Sequence, residues 1–174
     1  MSLQKGYIQV YTGNGKGKTT AAIGLAIRAA GAGLTVYIGQ FIKGMDYAEL
    51  EALKRFDDVI TIKQYGSGCF IRGEPTPEDI ELARQGLREM KEIVASGEYD
   101  VVILDEANVA HYFKLFSTDD LLSVIGVKPA HVELVFTGRK APQELIDRAD
   151  LVTEMREIKH YYEQGVQARS GIET

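Results

Sequence analysis

From Tyr7 to Ala22 an apolar, β-branched run (YIQVY) passes through Thr12-Gly13-Asn14-Gly15-Lys16-Gly17-Lys18-Thr19-Thr20 into an alanine-rich segment of helical spacing. A strand that empties into a glycine loop, which then opens a helix, starts a right-handed βαβ unit. It commits the chain to a parallel sheet whose ligand site lies at the strands' carboxyl ends. Gly-Lys-Thr at the entrance to the helix is the decisive half of a phosphate-binding loop. Glycines let backbone N–H groups curl around phosphate oxygens, and the helix N-terminus favours negative charge. Lys18 is placed to neutralise phosphate, and the Thr19 hydroxyl to meet an oxygen-seeking Mg²⁺. One position departs from the strict pattern, because Thr12 stands where glycine is expected. Gly13 and Gly15 offset part of that loss.

The remaining pattern extends the same architecture. Ala22, Leu25, Ala26 and Ala29 share a helical face, and Gly31 and Gly33 stop that helix. LTVYIGQF (34–41) and DVVILD (100–105) read as strands covered on both faces; VELVFT (132–137) adds another. Val59–Tyr65 alternates as a strand, Leu151–Glu154 reads as a last edge, and helical spacing resumes at Ala48, Leu50 and Leu53. Thr76 as N-cap and Pro77 in the first turn open a helix to about Ala95, with Ile80, Ala83, Leu87 and Met90 inward. The glycine-rich stretch 66–73 between these elements reads as a site loop. The fold class is therefore α/β, a mostly parallel central sheet with helices on both faces. With 174 residues, no internal repeat and no linker, the reading is one domain, 1–174.

Composition narrows the function classes. A formal net charge of −5 argues against nucleic acid as a partner. No apolar run reaches the roughly 20 residues that cross a bilayer, so no membrane role is expected. One cysteine, Cys69, excludes an internal disulfide and fits a reducing compartment, hence cytoplasm.

Asp105-Glu106 closes the apolar strand VVILD, the arrangement that holds a carboxylate opposite a phosphate loop to position Mg²⁺. Either acid fits that role. Together the two motifs predict nucleotide binding, with ATP or another nucleotide as ligand.

Several blocks in order, GNGKGKTTAA, QFIKG, VVILDE, TGRKAPQELIDRADLVTEM and KHYYEQGVQARSGIE, resemble the ATP:corrinoid adenosyltransferases over about Tyr7 to Glu173. The resemblance implies a RecA-like P-loop fold, commonly a homodimer. The 5′-deoxyadenosyl group of ATP passes to the Co(I) of a reduced corrinoid with release of tripolyphosphate, in adenosylcobalamin synthesis or salvage. A reductase or flavodoxin-type donor would supply the electron. The same resemblance implies that ATP binds reversed, with the loop on its phosphates and C5′ left open. Carried over by position, Gly13, Asn14, Gly15, Lys16, Gly17, Lys18, Thr19 and Thr20 hold the triphosphate, while Thr19 with Glu106, or Asp105, holds Mg²⁺. Arg28 either reaches the nucleoside or lies solvated. Arg139, after VELVFT, grips phosphate or a corrinoid amide, or else forms a surface ion pair. Gln40, Phe41 and Lys43 are corrinoid candidates, although Phe41 also suits a core. Lys159 and His160 in the last block are further candidates, His160 not as a metal ligand. Some members of the family carry an N-terminal helix over the corrinoid, and the first strand here begins within a few residues of Met1, so that cover is expected from elsewhere. Members of that branch also place aromatic residues in the loop after the third strand; here Phe70 is the aromatic, either a wedge against the corrinoid's lower ligand or an anchor for the loop.

A small phosphotransferase or ATPase, or a nucleotide-dependent corrinoid carrier, would share the loop and the strand-end acid. Lys18→Ala is expected to reduce transfer to near background while far-UV circular dichroism and melting temperature stay unchanged. A solvent-facing loop lysine adds little to a core, and a misfolded or fully active variant overturns the site.

Overall fold

Alternation along each strand decides which helix covers which face. The computed structural model describes residues 3–45, 47–68, 71 and 73–173, and Cys69 and Phe70 lie outside them. Among these residues the strands are β1 (Ile8–Thr12), β2 (Val36–Phe41), β3 (Ile60–Tyr65), β4 (Val101–Asp105), β5 (Glu133–Thr137) and β6 (Leu151–Glu154). They form one six-stranded sheet in the order β3-β2-β4-β5-β1-β6, and every pairing is parallel. The helices are α1 (Lys18–Gly31), α2 (Ala48–Leu53), α3 (Pro77–Ser96), α4 (Ala107–Tyr112), α5 (Thr118–Gly126) and α6 (Gln143–Arg148).

Val36, Ile38, Val101, Ile103 and Val135 point to one face and pack under Ala22, Ala26 and Ala29 of α1. Tyr37, Phe41, Val102, Leu104, Leu134 and Phe136 point to the other, where Leu87, Met90 and Val94 of α3, Leu121 of α5 and Leu145 of α6 cover them. Small residues on α1 let it lie close to the sheet. That keeps its first turn, the end of the phosphate loop, fixed against the central strands. The inner strands β2 and β4 are buried at every position, whereas β3 alternates and β6 is exposed throughout, as edge strands do. The parallel α/β sheet with helices on both faces is the expected class, and it is consistent with a RecA-like P-loop fold. No helix among the described residues is long and apolar enough to cross a membrane.

The predicted long helix forms as α3. Its Thr76 hydroxyl accepts from the Asp79 N–H at 3.2 Å, and the Asp79 carboxylate accepts from the Thr76 N–H at 2.9 Å. The short helices α4, α5 and α6 have no counterpart in the periodicity reading. At six, nine and six residues each offers few positions on which a period can stand out, and α2, equally short, was legible only through the spacing of Ala48, Leu50 and Leu53. The signal for α5 was local instead, a reciprocal Ser117–Asp120 cap of the same kind.

Gly86 of α3 faces Tyr65, and a Cβ there would lie 2.7 Å from the Tyr65 Cβ. Tyr65 cannot yield easily, being buried and tied by its hydroxyl to Tyr37 at 3.1 Å. Gly86→Ala is therefore expected to destabilise by about 1–3 kcal/mol despite its better helix propensity. Denaturant unfolding measures this, and an unchanged or raised midpoint contradicts the packing described.

Candidate active site

The carboxyl ends of β1, β2, β4 and β5 meet around one buried carboxylate. Asp105, at the tip of β4, accepts on Oδ1 from the Thr19 hydroxyl at 2.9 Å and from the Thr137 hydroxyl at 2.7 Å. On Oδ2 it accepts from the Gln40 amide at 3.1 Å and the Lys43 ammonium at 2.9 Å. Its side chain is 2% exposed. A carboxylate so far from solvent is stable only with charge and donors around it, and here both oxygens are supplied.

The loop between β1 and α1 is shaped from within and from outside. Gly13 at φ 94° and Gly17 at φ 117° take a backbone conformation that side-chain-bearing residues resist. The segment following β6 braces the loop: the Gly15 N–H donates to the Met155 carbonyl at 2.7 Å, and the Met155 N–H donates to the Thr12 carbonyl at 2.8 Å. Thr12, the departure from the strict motif, is the last residue of β1. Its hydroxyl accepts from the Ala141 N–H at 3.3 Å, so the irregular position is spent tying the loop to the chain after β5. Curvature begins one residue later, at Gly13.

Lys18 is enclosed, contrary to the solvent-facing position expected of a loop lysine. It is 6% exposed, and its ammonium donates to the Gly13 and Gly15 carbonyls at 2.8 and 2.7 Å. Removing it is thus expected to loosen the loop locally as well as to remove a charge. Burial pushes the Lys18 ammonium pKa down, the Glu106 carboxylate works against that, and Arg139 adds to the depression. An arriving anion would relieve it.

A cavity of about 740 Å³ opens over this loop, of ordinary ligand-site size. Gly15, Lys16, Gly17, Lys18, Thr19 and Thr20 form one wall, and Lys43, Glu106 and Arg139 stand in the others. Asn14 is exposed at the loop's outer edge. Arg139 is exposed and follows Gly138, whose carbonyl is held by the buried Asn108 amide at 3.1 Å. Lys16 reaches the other way, donating to the Ile172 carbonyl at 3.0 Å.

Of the other candidates, Arg28, Gln40 and Lys159 sit apart from the cavity, whereas Phe41 and His160 border it. Arg28 is exposed in the last turn of α1, ten residues and roughly 15 Å of helix beyond Lys18. Gln40 and Phe41 have no exposed surface. Gln40 turns inward to Asp105, and Phe41 packs its ring against Tyr65 and Phe116, because both faces of β2 are covered. Gln40 thus lies behind the site, while Phe41, though buried, borders the cavity. His160 lines the cavity, as do Gly171, Ile172 and Glu173, while Lys159 is exposed. Thr137 was missed by sequence reasoning. Besides holding Asp105, its hydroxyl accepts from the Glu106 N–H at 3.0 Å. A hydroxyl residue at the carboxyl tip of a buried strand was the available signal.

The donor chemistry suits magnesium carried in with a nucleotide. No cluster of three or more His, Cys, Asp or Glu among the described residues could hold a metal alone. Thr19 and Glu106 line the cavity, and the buried Asp105 carboxylate lies behind Thr19, its Oδ1 2.9 Å from the Thr19 hydroxyl, so that hard oxygens stand close together. Mg²⁺ typically takes only one or two protein ligands and completes its shell with phosphate and water.

Glu106 adopts φ 59°, a conformation uncommon for a side-chain-bearing residue, which turns the chain from β4 into α4. Burial and then the Asp105 charge raise its pKa, with Lys43 and Lys18 opposing. A carboxyl whose folded pKa exceeds its unfolded value costs stability above the unfolded value, and that cost disappears as the pH falls below it. Glu106→Gln is expected to raise the melting temperature of the nucleotide-free protein at neutral pH, with the gain shrinking towards pH 4. A variant that is less stable at pH 7, or equally shifted at both pH values, contradicts this.

The family model described as ATP:corrinoid adenosyltransferase BtuR/CobO/CobP matches residues 4–174. The corrinoid adenosyltransferase of Pseudomonas aeruginosa is 34% identical over 171 residues, covering 98% of this chain and 84% of that protein. That of Sinorhizobium sp. is 35% identical over 173 residues, covering 98% and 81%. The corrinoid adenosyltransferase CobA of Salmonella typhimurium is 33% identical over 171 residues, covering 98% and 86%. With its phosphate loop, strand-end acid and parallel sheet in the order described, this chain belongs to the ATP:corrinoid adenosyltransferase family.

Proposed function

We propose that this enzyme moves the 5′-deoxyadenosyl group of ATP onto the Co(I) of a reduced corrinoid and releases tripolyphosphate. The observation that carries the reading is that the phosphate loop with Lys18 and Thr19, Glu106 and Arg139 converge on one cavity, with Asp105 hydrogen-bonded to Thr19 behind it, in a chain of this family. The electron pair of Co(I) forms the bond to C5′ as the C5′–O bond breaks, and the triphosphate departs with the bonding pair. The nucleophile belongs to the substrate, so the chain's work is placement and charge stabilisation.

In this reading Gly13 to Thr20 wrap the triphosphate, and Lys18 exchanges the Gly13 and Gly15 carbonyls for phosphate oxygens. Arg139 meets charge from the opposite wall. Thr19 with Asp105 and Glu106 would hold Mg²⁺, which when bound with ATP neutralises charge on the leaving triphosphate. Residues 1–174 act as a single P-loop domain, in the cytoplasm and as a homodimer, with a reductase or flavodoxin-type protein supplying the electron. The lone cysteine and the net charge of −5 support a reducing compartment and a small-molecule substrate.

Anaerobic incubation with ATP, Mg²⁺ and chemically reduced cobalamin tests the reaction. A light-sensitive alkyl-cobalt spectrum with an equal amount of tripolyphosphate is expected. ADP instead would indicate phosphoryl transfer, and unchanged ATP with both ligands bound would indicate a carrier.

A further inference from the structure

Lys43 stands where a cation would. Its ammonium lies 2.9 Å from Asp105 Oδ2, 3.5 Å from the Thr19 hydroxyl and 3.9 Å from Glu49 Oε1. The side chain is 13% exposed, so the pair with Asp105 is largely removed from water. The backbone is bent to bring it there. Ile42, immediately before it, sits at φ 62°, a costly conformation for a β-branched residue and one held only where the surroundings enforce it. Burial works against the Lys43 charge, but Asp105, Glu106 and Glu49 outweigh it and hold its pKa above the ordinary lysine value.

We propose that Lys43 is a tethered counter-cation for the metal site, a positioning residue that fills the Thr19–Asp105 pair until a metal–nucleotide complex displaces it. The inference rests on the reading above that this pair takes Mg²⁺. An ammonium and a divalent ion cannot share Asp105 without strong repulsion at these distances. A free hydrated ion brings no ligand to offset that repulsion and finds the pair occupied. A metal arriving on a triphosphate brings its own oxygens, and the same phosphates give the displaced ammonium a new anionic partner. The empty site is thereby kept in ligating geometry yet closed to free metal, so that metal and nucleotide enter together. Lys43 is on this account committed to the metal site, not to the corrinoid.

The test uses the metal-free full chain without nucleotide, titrated with Mn²⁺ and followed by the electron paramagnetic resonance signal of the free ion. Lys43→Met and Lys43→Gln, the second retaining a donor without the charge, are each expected to bind Mn²⁺ at least tenfold more tightly than the unaltered protein. Both should melt at lower temperature in chelator and recover on adding Mg²⁺, while the unaltered protein responds to neither. Equal Mn²⁺ affinity in all three proteins overturns the proposal. So does a destabilisation that Mg²⁺ does not reverse, or failure of both variants to fold even with Mg²⁺. Neither readout involves ATP turnover or a corrinoid, so its outcome is separate from that of the transfer assay.

Discussion

The buried carboxylate of Asp105 is the interaction on which the site depends. Its partners come from α1 (Thr19), β2 (Gln40), the turn after β2 (Lys43) and β5 (Thr137), so one negative charge ties four separate segments into a single surface. Burying such a charge is costly unless its lone pairs are met, and removing one member of a buried ion pair typically costs about 3–5 kcal/mol. The strand ends are therefore held in register by more than the sheet ladder. Apolar packing on both faces sets the distance between the strands, and Asp105 sets what their tips do.

Around that satisfied centre, other charges are left in tension. Burial depresses the Lys18 pKa and raises the Glu106 pKa, so an ammonium and a carboxyl facing the same cavity are each less comfortable than in water. Lys18 donates to carbonyls of its own loop, and Gly13 and Gly17 hold left-handed conformations that curl the loop backbone around its ammonium. A site organised in this way keeps its polar groups aimed before the ligand arrives, which is the condition under which they stabilise developing charge most effectively. Asn108 extends the arrangement to the far wall, its amide fixing the Gly138 carbonyl beside Arg139.

Much of this could be read from the residues. Strands buried on both faces announce themselves as unbroken apolar runs, and β2, β4 and β5 form where those runs stand. The loop and the acid at the end of VVILD were legible because their chemistry demands particular residue types at particular junctions. Burial at single positions was less so. Gln40 and Phe41 lie at a strand's carboxyl end, where ligands gather, but the pleat and the covering helices turn both inward. Lys18 is a loop lysine that the loop itself encloses, and Thr137 is an ordinary threonine until the neighbouring strand places Asp105 beside it. The short helices after β4 and β5 carry too few turns for a period to emerge. Phe70 falls outside the described residues, so its two readings stand as the sequence left them.

The brace between Gly15 and Met155 has a consequence for how the protein comes into being. The loop's backbone is completed by a segment synthesised 140 residues later (155 − 15), and β1 is flanked on both sides by strands from the last third of the sequence. During translation β1 and α1 emerge first but have neither neighbour to pair with, and contacts this distant in sequence form late. A ribosome-bound or prematurely terminated chain thus lacks the carbonyl that sets the loop. Until residue 155 has been made the loop has nothing to brace it, so the shape of the earliest motif in the sequence is set by one of its later segments.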